Sequence, residues 1–500
     1  MGMAQPNFVG ISCVRCGSRQ PVISPSPICR RCGGRLEVVM DLEEVKQRVS
    51  RESIERSRNR GVWKYTDLLP LMNPRDIVSL GEGNTNLSRS ESLAHILGLR
   101  RLYLKDETTN PSGAFLDRGV TVEVSRAKSL GYRGASCGWS GNLASSLAAY
   151  CARGGMHARA HLPGQIDLGK LYQAVVYGAE IVPCHTKDEA FTRLMDQQKE
   201  FYPITAHSPF FLEGIKTSGI EVVDQLDWAL PDWIVVPMGN GTHISMMYKG
   251  LKSLESIGLV DSVSTRLVGV QVEGCSPIAD AFKGRPSGAR KKNPDVTFAR
   301  DIAVESPGMA DEAIEALRSS GGDAVTVSEK EILDAVRNLA MNEGIFAEPA
   351  AASTIAALRR MLDSKVISRS ESVVCMITGI GLKDPSMARK LASRNRVARN
   401  IISRFEETPF TRRIGDTKLA ILKMLHGGES YAYAIRKKLA EDGKSISLVS
   451  VFQHLSELND MDLITVDRHE RSPERRVRVY YVLTERGHDV LSSLRADKRP

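Results

Sequence analysis

The sequence lacks the features of a membrane or secreted protein. Among its 500 residues no apolar run reaches the roughly 18–20 residues that a membrane-spanning helix needs. The N-terminus has no charged segment followed by an apolar one, and internal repeats and low-complexity tracts are absent. Five of the nine cysteines are scattered among apolar or small residues, which is typical of buried thiols in a reducing compartment. We therefore expect a globular protein of the cytoplasm.

Positive charge is concentrated towards the C-terminal end. The chain has a net charge of +9, and residues 394–500 contain 21 Lys+Arg against 15 Asp+Glu, a surplus of 6. A locally basic region favours a polyanionic partner, although many basic patches are simply solvated.

Composition and periodicity divide the chain into segments. We predict a zinc ribbon at 1–40, a connector at 41–60, an α/β body at 61–392, a linker at 393–413 and a winged helix at 414–500. In the body, strand-like runs such as "WIVVPM" and "LVGVQVEG" alternate with helical patterns. This alternation predicts mostly parallel sheets covered by helices, with ligands bound at the carboxyl ends of the strands.

Four cysteines near the N-terminus have the spacing of a metal site. Cys13 pairs with Cys16, and Cys29 with Cys32, as two C-x2-C motifs twelve residues apart. Each motif can present two thiolates to one tetrahedral ion, and four thiolates complete its coordination shell. Two disulfides or a fortuitous spacing are the alternatives to the structural zinc that we predict.

Three loops of the body have the composition of a ligand site. They are "NPSGAFLDRG" at 110–119, "SGN" at 140–142 and "GNGT" at 239–242. Small residues and helix N-termini leave backbone amides free to hold a phosphate. For the third loop, a glycine turn without a ligand is the alternative.

Longer strings of the body match one known family. They include "LYLKDETTNPSGAFLDRG", "SGNLASSLAAY", "GIFAEPAAAS" and "TGIGLKDP". On these strings, residues 61–392 resemble threonine synthase, a fold-type-II pyridoxal-phosphate enzyme, and some members of that family carry a zinc ribbon before the body. The resemblance implies that Asn142 bonds the pyridine hydroxyl of the cofactor and Thr378 its ring nitrogen. It also implies that the phosphate lies on Gly239, Asn240, Gly241 and Thr242.

One departure from the family falls on its reactive residue. The loop normally reads "SFKDRG", and its lysine forms the Schiff base, but here Leu116 holds that position. A Schiff base requires a primary amine, which leucine lacks. We therefore predict no catalytic residue, with pyridoxal phosphate bound noncovalently or absent. Lys105 is close in sequence, but its string "YLKDE" belongs to the ordinary family pattern, which indicates a structural role.

Further departures cluster around the same site. In the loop that normally reads "STGNT" and resembles a carboxylate-binding element, Trp139 and Leu143 replace a serine and a threonine. Together with Ser140 and Gly141 they are predicted to line a pocket for an amino-acid-like or phosphorylated effector. Thr242 replaces a glycine of the family pattern, and Ile380 replaces a histidine.

The C-terminal segment has the element order of a winged helix-turn-helix. Three amphipathic helices, the third capped by Ser447, precede the strands "LITVDR" and "VRVYYVLT", a basic turn "HERSPERR" between those strands, and a last helix. This pattern resembles the PadR-like transcription regulators. The predicted DNA contacts are Ser450, Gln453 and His454 for bases, and Arg468, Arg471, Arg475, Arg476 and Arg478 for phosphates. Protein–protein contact is the alternative use of such a fold.

Leu116 and the winged helix together predict a transcriptional regulator. It would bind double-stranded DNA as a homodimer and sense a ligand through a catalytically disabled body. The first alternative is an active threonine synthase, converting O-phosphohomoserine to threonine and phosphate with pyridoxal phosphate, that carries a regulatory DNA-binding domain. The second is a structural partner of a true threonine synthase.

Overall fold

The structure, a computed structural model, contains two compact units, Met1–Ala388 and Arg389–Pro500. It describes residues 8–70, 73–138, 140–163, 166–285, 297–392, 415–444, 446–471 and 477–496. The predicted linker at 393–413 lies outside these ranges. Within them, no helix combines the length and the apolar character needed to cross a membrane.

The first unit begins with a small antiparallel sheet that shares a core with the body. Its strands are β1 (Phe8–Cys13), β2 (Arg19–Gln20) and β3 (Leu36–Met40), in the order β2-β1-β3. Ile11 and Val38 are buried against Trp63 and Phe210 of the body. Arg35 also forms an ion pair with Glu312 at 2.7 Å. The ribbon is therefore packed as part of the first unit.

The body contains two sheets of mostly parallel strands, as the sequence predicts. The larger has the order β12-β11-β10-β13-β5-β4, and only its edge pair β4–β5 is antiparallel. The smaller has the order β8-β7-β6-β9 and is parallel throughout. The strands are β4 (Asn86–Arg89), β5 (Arg101–Asp106), β6 (Gly134–Gly138), β7 (His157–Pro163), β8 (Glu180–Cys184), β9 (Tyr202–Ile204), β10 (Trp233–Pro237), β11 (Arg266–Val272), β12 (Asp323–Val327) and β13 (Ser372–Ile377).

Helices connect these strands and cover the sheets. They are α1 (Leu42–Arg48), α2 (Arg51–Glu55), α3 (Ser92–Leu97), α4 (Asp117–Ser129), α5 (Gly141–Gly154), α6 (Leu168–Val176), α7 (Lys187–Asp196), α8 (Pro209–Gln225), α9 (Thr242–Ser256), α10 (Pro277–Phe282), α11 (Ala310–Ser319), α12 (Glu329–Glu343), α13 (Pro349–Asp363) and α14 (Pro385–Ala392). Local signals set several of their ends. Ser140 caps α5 through the amide of Leu143, and α12 ends at Gly344, whose φ of +70° suits glycine.

A fully buried group of charges joins α4, α8 and β5. We call it the sealed cluster: Lys105, Glu107, Arg118 and Glu221. Arg118 pairs with Glu107 and with Glu221, each at 2.7 Å, and Lys105 pairs with Glu221 at 2.5 Å. Two cations balance two anions, so burial leaves no uncompensated charge. Lys105 is thus held inside this network.

The second unit has its own apolar core. Its elements are α15 (Asp416–His426), β14 (Ser430–Tyr431), α16 (Ala432–Glu441), α17 (Leu448–Asp460), β15 (Ile464–Arg471), β16 (Val477–Leu483) and α18 (Glu485–Ala496). Val451, Leu455 and Leu458 of α17 are buried in that core. One detail of the prediction was wrong. The first three residues of "HERSPERR" are strand, because residues 469–471 continue β15 and pair with residues 477–479 of β16.

Candidate functional site

The four N-terminal cysteines converge on one point. Their sulfur atoms all lie within 4.8 Å of one another, with Cys13 and Cys32 at 3.5 Å and Cys16 and Cys29 at 3.8 Å. Tetrahedral coordination with zinc–sulfur bonds of about 2.3 Å puts neighbouring sulfurs roughly 3.8 Å apart. Four thiols in this arrangement are compatible with zinc.

Three segments of the body, which contain residues 113–115, 348 and 378–380, are joined by backbone hydrogen bonds at the carboxyl end of the larger sheet. The amide of Phe115 donates to the carbonyl of Thr378 at 3.0 Å, and the amide of Ile380 donates to the carbonyl of Gly113 at 3.0 Å. The amide of Glu348 donates to the carbonyl of Gly379 at 2.8 Å. The loop that contains Leu116 therefore lies beside the end of β13.

Leu116 itself makes apolar contacts. Its side chain is half-buried and packs against the core cluster that contains Val120 and Leu143. The preceding Phe115 stacks on His243, with ring centroids 4.3 Å apart and an interplanar angle of 12°. Burial lowers the pKa of His243 to about 4, so the ring is neutral near pH 7.

A second group of charged side chains surrounds Asn142. We call it the pocket cluster: Lys170, Asp301, Glu348 and Lys383. The Asn142 amide donates to Asp301 at 3.1 Å and to Glu348 at 3.2 Å, while its oxygen accepts from Lys383 at 3.0 Å. Lys170 contacts Asp301 at 2.9 Å and Glu348 at 3.2 Å. The Asp301 side chain remains 42% exposed, so this cluster has an opening to solvent.

The two lysines of the pocket cluster differ in their electrostatics. Burial opposes the charge of Lys170, yet Asp301, Glu348 and Asp167 together raise its pKa well above the ordinary value. Burial lowers the pKa of Lys383, and the nearby Glu348 offsets that effect only in part. Lys170 is therefore a firmly held ammonium, whereas Lys383 gives up its proton more easily.

The glycine loop at 239–242 adjoins the same cluster. A Cβ on Gly239 would collide with the carbonyl of Asp301, and one on Gly241, whose φ is +88°, would collide with the carbonyl of Met309. Both glycines are thus required by close backbone packing. Thr242 begins α9 and its hydroxyl donates to the carbonyl of Ala206 at 3.3 Å. Amides in the first turn of a helix have no carbonyl of that helix to bond, so they can receive an anion.

In the second unit, α17 corresponds to the recognition helix of the predicted winged helix. Gln453 is exposed on it, with its amide 3.1 Å from Glu457. Ser450 is half-buried, and its hydroxyl and amide contact the capping Ser447. His454 is also half-buried and lies 3.7 Å from Glu457. Gln453 is therefore the best presented of the three predicted base contacts.

Two wing arginines lie along tyrosine rings. Arg468 is 4.3 Å from the Tyr480 ring and pairs with Glu429, while Arg478 is 4.9 Å from the Tyr431 ring. The side chain of Arg471 and the whole of Arg475 and Arg476 lie outside the described residues.

Comparison with known proteins identifies the body. Residues 78–379, more than half of the chain, match the family model described as pyridoxal-phosphate dependent enzyme. The chain belongs to this family. Among curated proteins it is 43% identical to a threonine synthase of Methanocaldococcus jannaschii over 381 residues, which cover 75% of this chain and 93% of that protein. It is 39% identical to a threonine synthase of Methanosarcina acetivorans over 383 residues, covering 75% and 92%.

The second unit and the fold have matches of their own. Residues 421–493 match the transcriptional regulator PadR-like family. Among solved structures, threonine deaminase isoform 2 from Solanum lycopersicum superposes with a TM-score of 0.54 at 21% identity, covering 71% of this chain and 94% of that one. This likeness concerns the fold, which is that of the fold-type-II pyridoxal-phosphate enzymes.

The residues around Asn142 and Thr378 suit part of the cofactor of this family. No described residue hydrogen-bonds to the Thr378 hydroxyl, which is thus free for a ring nitrogen, and the first turn of α9 offers amides to a phosphate. The side-chain amide of Asn142 hydrogen-bonds to the side chains of Asp301, Glu348 and Lys383. These groups fit the ring and the phosphate, whereas Leu116 does not fit the usual covalent attachment.

The structure disperses some predicted pocket residues and adds others. Ser140 caps α5, Gly141 lies against Lys170, Leu143 is in the core, and Trp139 is outside the described residues. The sequence argument missed the pocket cluster. Lys383 and Glu348 do lie in strings that resemble the family, "TGIGLKDP" and "GIFAEPAAAS", but Asp301 carries no such signal.

Proposed function

We propose that the chain is a ligand-responsive DNA-binding regulator whose sensor is the pyridoxal-phosphate-type body. The observation that carries the proposal is Leu116 at the position of the reactive lysine, in a chain that also contains a PadR-like domain. Without an amine at 116 the body loses the group that usually moves protons during catalysis, yet it keeps groups suited to a phosphorylated ligand. Ligand binding would then change the affinity for DNA, and by linkage DNA would change the affinity for the ligand by the same factor.

The expected ligand is pyridoxal phosphate or a phosphorylated or amino-acid-like effector. Two lysines, the Asn142 amide and the first turn of α9 would receive its anionic groups. When bound, pyridoxal phosphate supplies an electron sink. The chain would orient its ring through Asn142 and Thr378.

A direct test is binding of the purified protein to DNA from upstream of its own gene. We expect a sequence-selective complex that weakens steeply with salt, because phosphate contacts release counterions. Pyridoxal phosphate should shift the midpoint of that titration. A complex without sequence selectivity, or no complex at all, would contradict the proposal.

Gln453 gives this test a residue-level readout. Gln453→Ala should weaken binding by about 1–3 kcal/mol and relax the preference at one base pair, since glutamine can bond adenine in the major groove. Asn459→Ala is the matched control: it removes an exposed amide from the last turn of the same helix, away from the N-terminal half that enters the groove. Equal losses in both variants would argue against a recognition role for Gln453.

We also propose a homodimer and a structural zinc ion. A dimer predicts two half-sites about 10–10.5 base pairs apart or a multiple of that spacing, which footprinting can measure.

Metal analysis should find about one zinc per chain, and Cys16→Ser should lower that content. Zinc equal in the variant and the unaltered protein would place the ion elsewhere.

The second candidate function is an active threonine synthase that regulates its own supply. Lys383 favours it, because a buried amine lies at the pocket despite the loss of lysine at 116. Release of phosphate from O-phosphohomoserine, measured with and without added pyridoxal phosphate, distinguishes the two functions. Turnover that requires the cofactor would support the enzyme.

A further inference from the structure

Lys383 places a primary amine beside the side chain expected to hold the cofactor ring. Its residue is 5% exposed, and Nζ lies 3.0 Å from Asn142 Oδ1. In pyridoxal phosphate the aldehyde and the hydroxyl stand on adjacent ring carbons. A group that reaches the partner of that hydroxyl therefore also lies near the aldehyde carbon.

A backbone hydrogen bond places the segment that contains Lys383 beside the loop that contains Leu116. The amide of Ile380 bonds the carbonyl of Gly113, and each of these two residues precedes one side chain of interest by three positions. A Cβ built on Gly113 would lie 3.5 Å from Cε of Lys383. On the other side, a Cβ on Gly169 of α6 would collide with the Lys383 carbonyl. Close packing on both sides limits how far the lysine backbone can move.

The other buried lysines of the body are already committed to anions. Lys170 has carboxylate oxygens of Asp301, Asp167 and Glu348 between 2.9 and 3.2 Å. Lys105 pairs with Glu221 in the sealed cluster, and Lys216 pairs with Glu213. Within the ranges that the structure describes, Lys383 has the neutral amide of Asn142 as its bonded partner and no carboxylate at ion-pair distance. A buried amine that is not paired with a carboxylate loses its proton more easily than a paired one, and its neutral form is the nucleophile.

We propose that Lys383 takes the place of the missing lysine and binds an aldehyde ligand covalently, pyridoxal phosphate being the aldehyde that this pocket selects. The inference rests on the ligand-binding part of the proposed function. The Nζ lone pair adds to the aldehyde carbon to form the C–N bond. The aldehyde oxygen then leaves as water with the two hydrogens of the neutral amine, and a C=N bond remains. No oxidant or reductant is consumed.

The test is to trap and map this bond in the full-length protein. The protein is mixed with pyridoxal phosphate, reduced with borohydride, which delivers hydride to the C=N carbon, then digested and analysed by mass spectrometry. We expect the pyridoxyl group on the peptide that contains Lys383 and an absorbance band in the visible range before reduction. Lys383→Arg keeps the charge and should lose at least 90% of the adduct (a tenfold drop). Lys170→Arg, the matched change at the other pocket lysine, should retain the adduct at Lys383.

Pyridoxine phosphate separates this inference from the proposed function. It carries an alcohol in place of the aldehyde, so it can occupy the pocket but cannot form the C=N bond. Protection by pyridoxine phosphate against the adduct at Lys383 would support the inference. If pyridoxine phosphate binds, but pyridoxal phosphate gives no adduct or an adduct on another lysine, the inference is overturned and the ligand pocket stands. If neither compound binds, both the inference and the pocket for this ligand fail. Mapping the unaltered protein keeps the result independent of how the variants fold.

Discussion

The sealed cluster and the pocket cluster are built from the same kinds of side chain, yet they differ in what completes them. In the sealed cluster, Arg118 and Lys105 find all of their partners inside the protein, and every member is buried. In the pocket cluster, Asp301 is partly exposed and Asn142 links side chains that a ligand could replace. Removing one member of a buried cluster whose partners are all internal is costly, whereas charges with exchangeable partners are suited to a binding site.

All four tryptophans, at positions 63, 139, 228 and 233, precede residue 389, where the second unit begins. Tryptophan fluorescence during denaturant unfolding therefore reports on the unit that contains both clusters. It can compare them without interference from the winged helix.

The largest effect is expected from Arg118→Met. The change leaves Glu107 and Glu221 with an uncompensated charge in the interior, so the free energy of unfolding should fall by about 3–5 kcal/mol. Urea titration followed by tryptophan fluorescence measures it. A loss below about 1 kcal/mol would mean that the cluster is not sealed.

The pH dependence of stability shows what it costs to protonate His243, which lies near the sealed cluster. Its folded pKa of about 4 lies below the unfolded value of 6.5, so its contribution to stability is complete above pH 6.5 and is lost as the pH falls towards 4. The full loss amounts to about 3 kcal/mol. In His243→Gln, the drop in the free energy of unfolding between pH 7 and pH 4 should shrink accordingly. An unchanged pH dependence would assign that drop to other groups.

Lys170→Met should cost less than Arg118→Met, about 1–2 kcal/mol. Of its three partners, Asp301 and Asp167 are exposed enough for water to replace the ammonium, and the buried Glu348 keeps the Asn142 amide as a donor, so the penalty for the unpaired anions is reduced. The same variant should bind pyridoxine phosphate more weakly. Arg118 variants that fold should keep the affinity of the unaltered protein, apart from any loss that follows from their lower stability. Equal stability losses at the two sites would remove the distinction between the clusters.

The smallest effect is expected from Asp301→Asn. The carboxylate is partly solvated, and the amide can still bond Asn142, so the free energy of unfolding should change by less than about 1 kcal/mol. Ligand affinity should change more than stability, because Lys170 loses a partner within the pocket. Thermal unfolding and ligand titration of the same preparation measure both quantities.

Much of this architecture could be predicted from local sequence. Two C-x2-C motifs bring four sulfurs together because each motif closes a tight turn, and alternating strand and helix patterns produced two mostly parallel sheets. The helix cap at Ser447 was also predicted from a short-range preference. The same cap also engages Ser450, whose backbone amide donates to the Ser447 hydroxyl at 3.0 Å.

The sequence by itself determined that position 116 lacks an amine and that a pyridoxal-phosphate-enzyme body is followed by a PadR-like domain. Only the tertiary structure decided which other amine lies beside Asn142. Asn142 and Lys383 are 241 positions apart, and no periodicity or spacing connects them. They meet because the start of α5, which follows β6 of the smaller sheet, lies against the segment that follows β13 of the larger sheet, and backbone hydrogen bonds hold that segment beside residues 113–115.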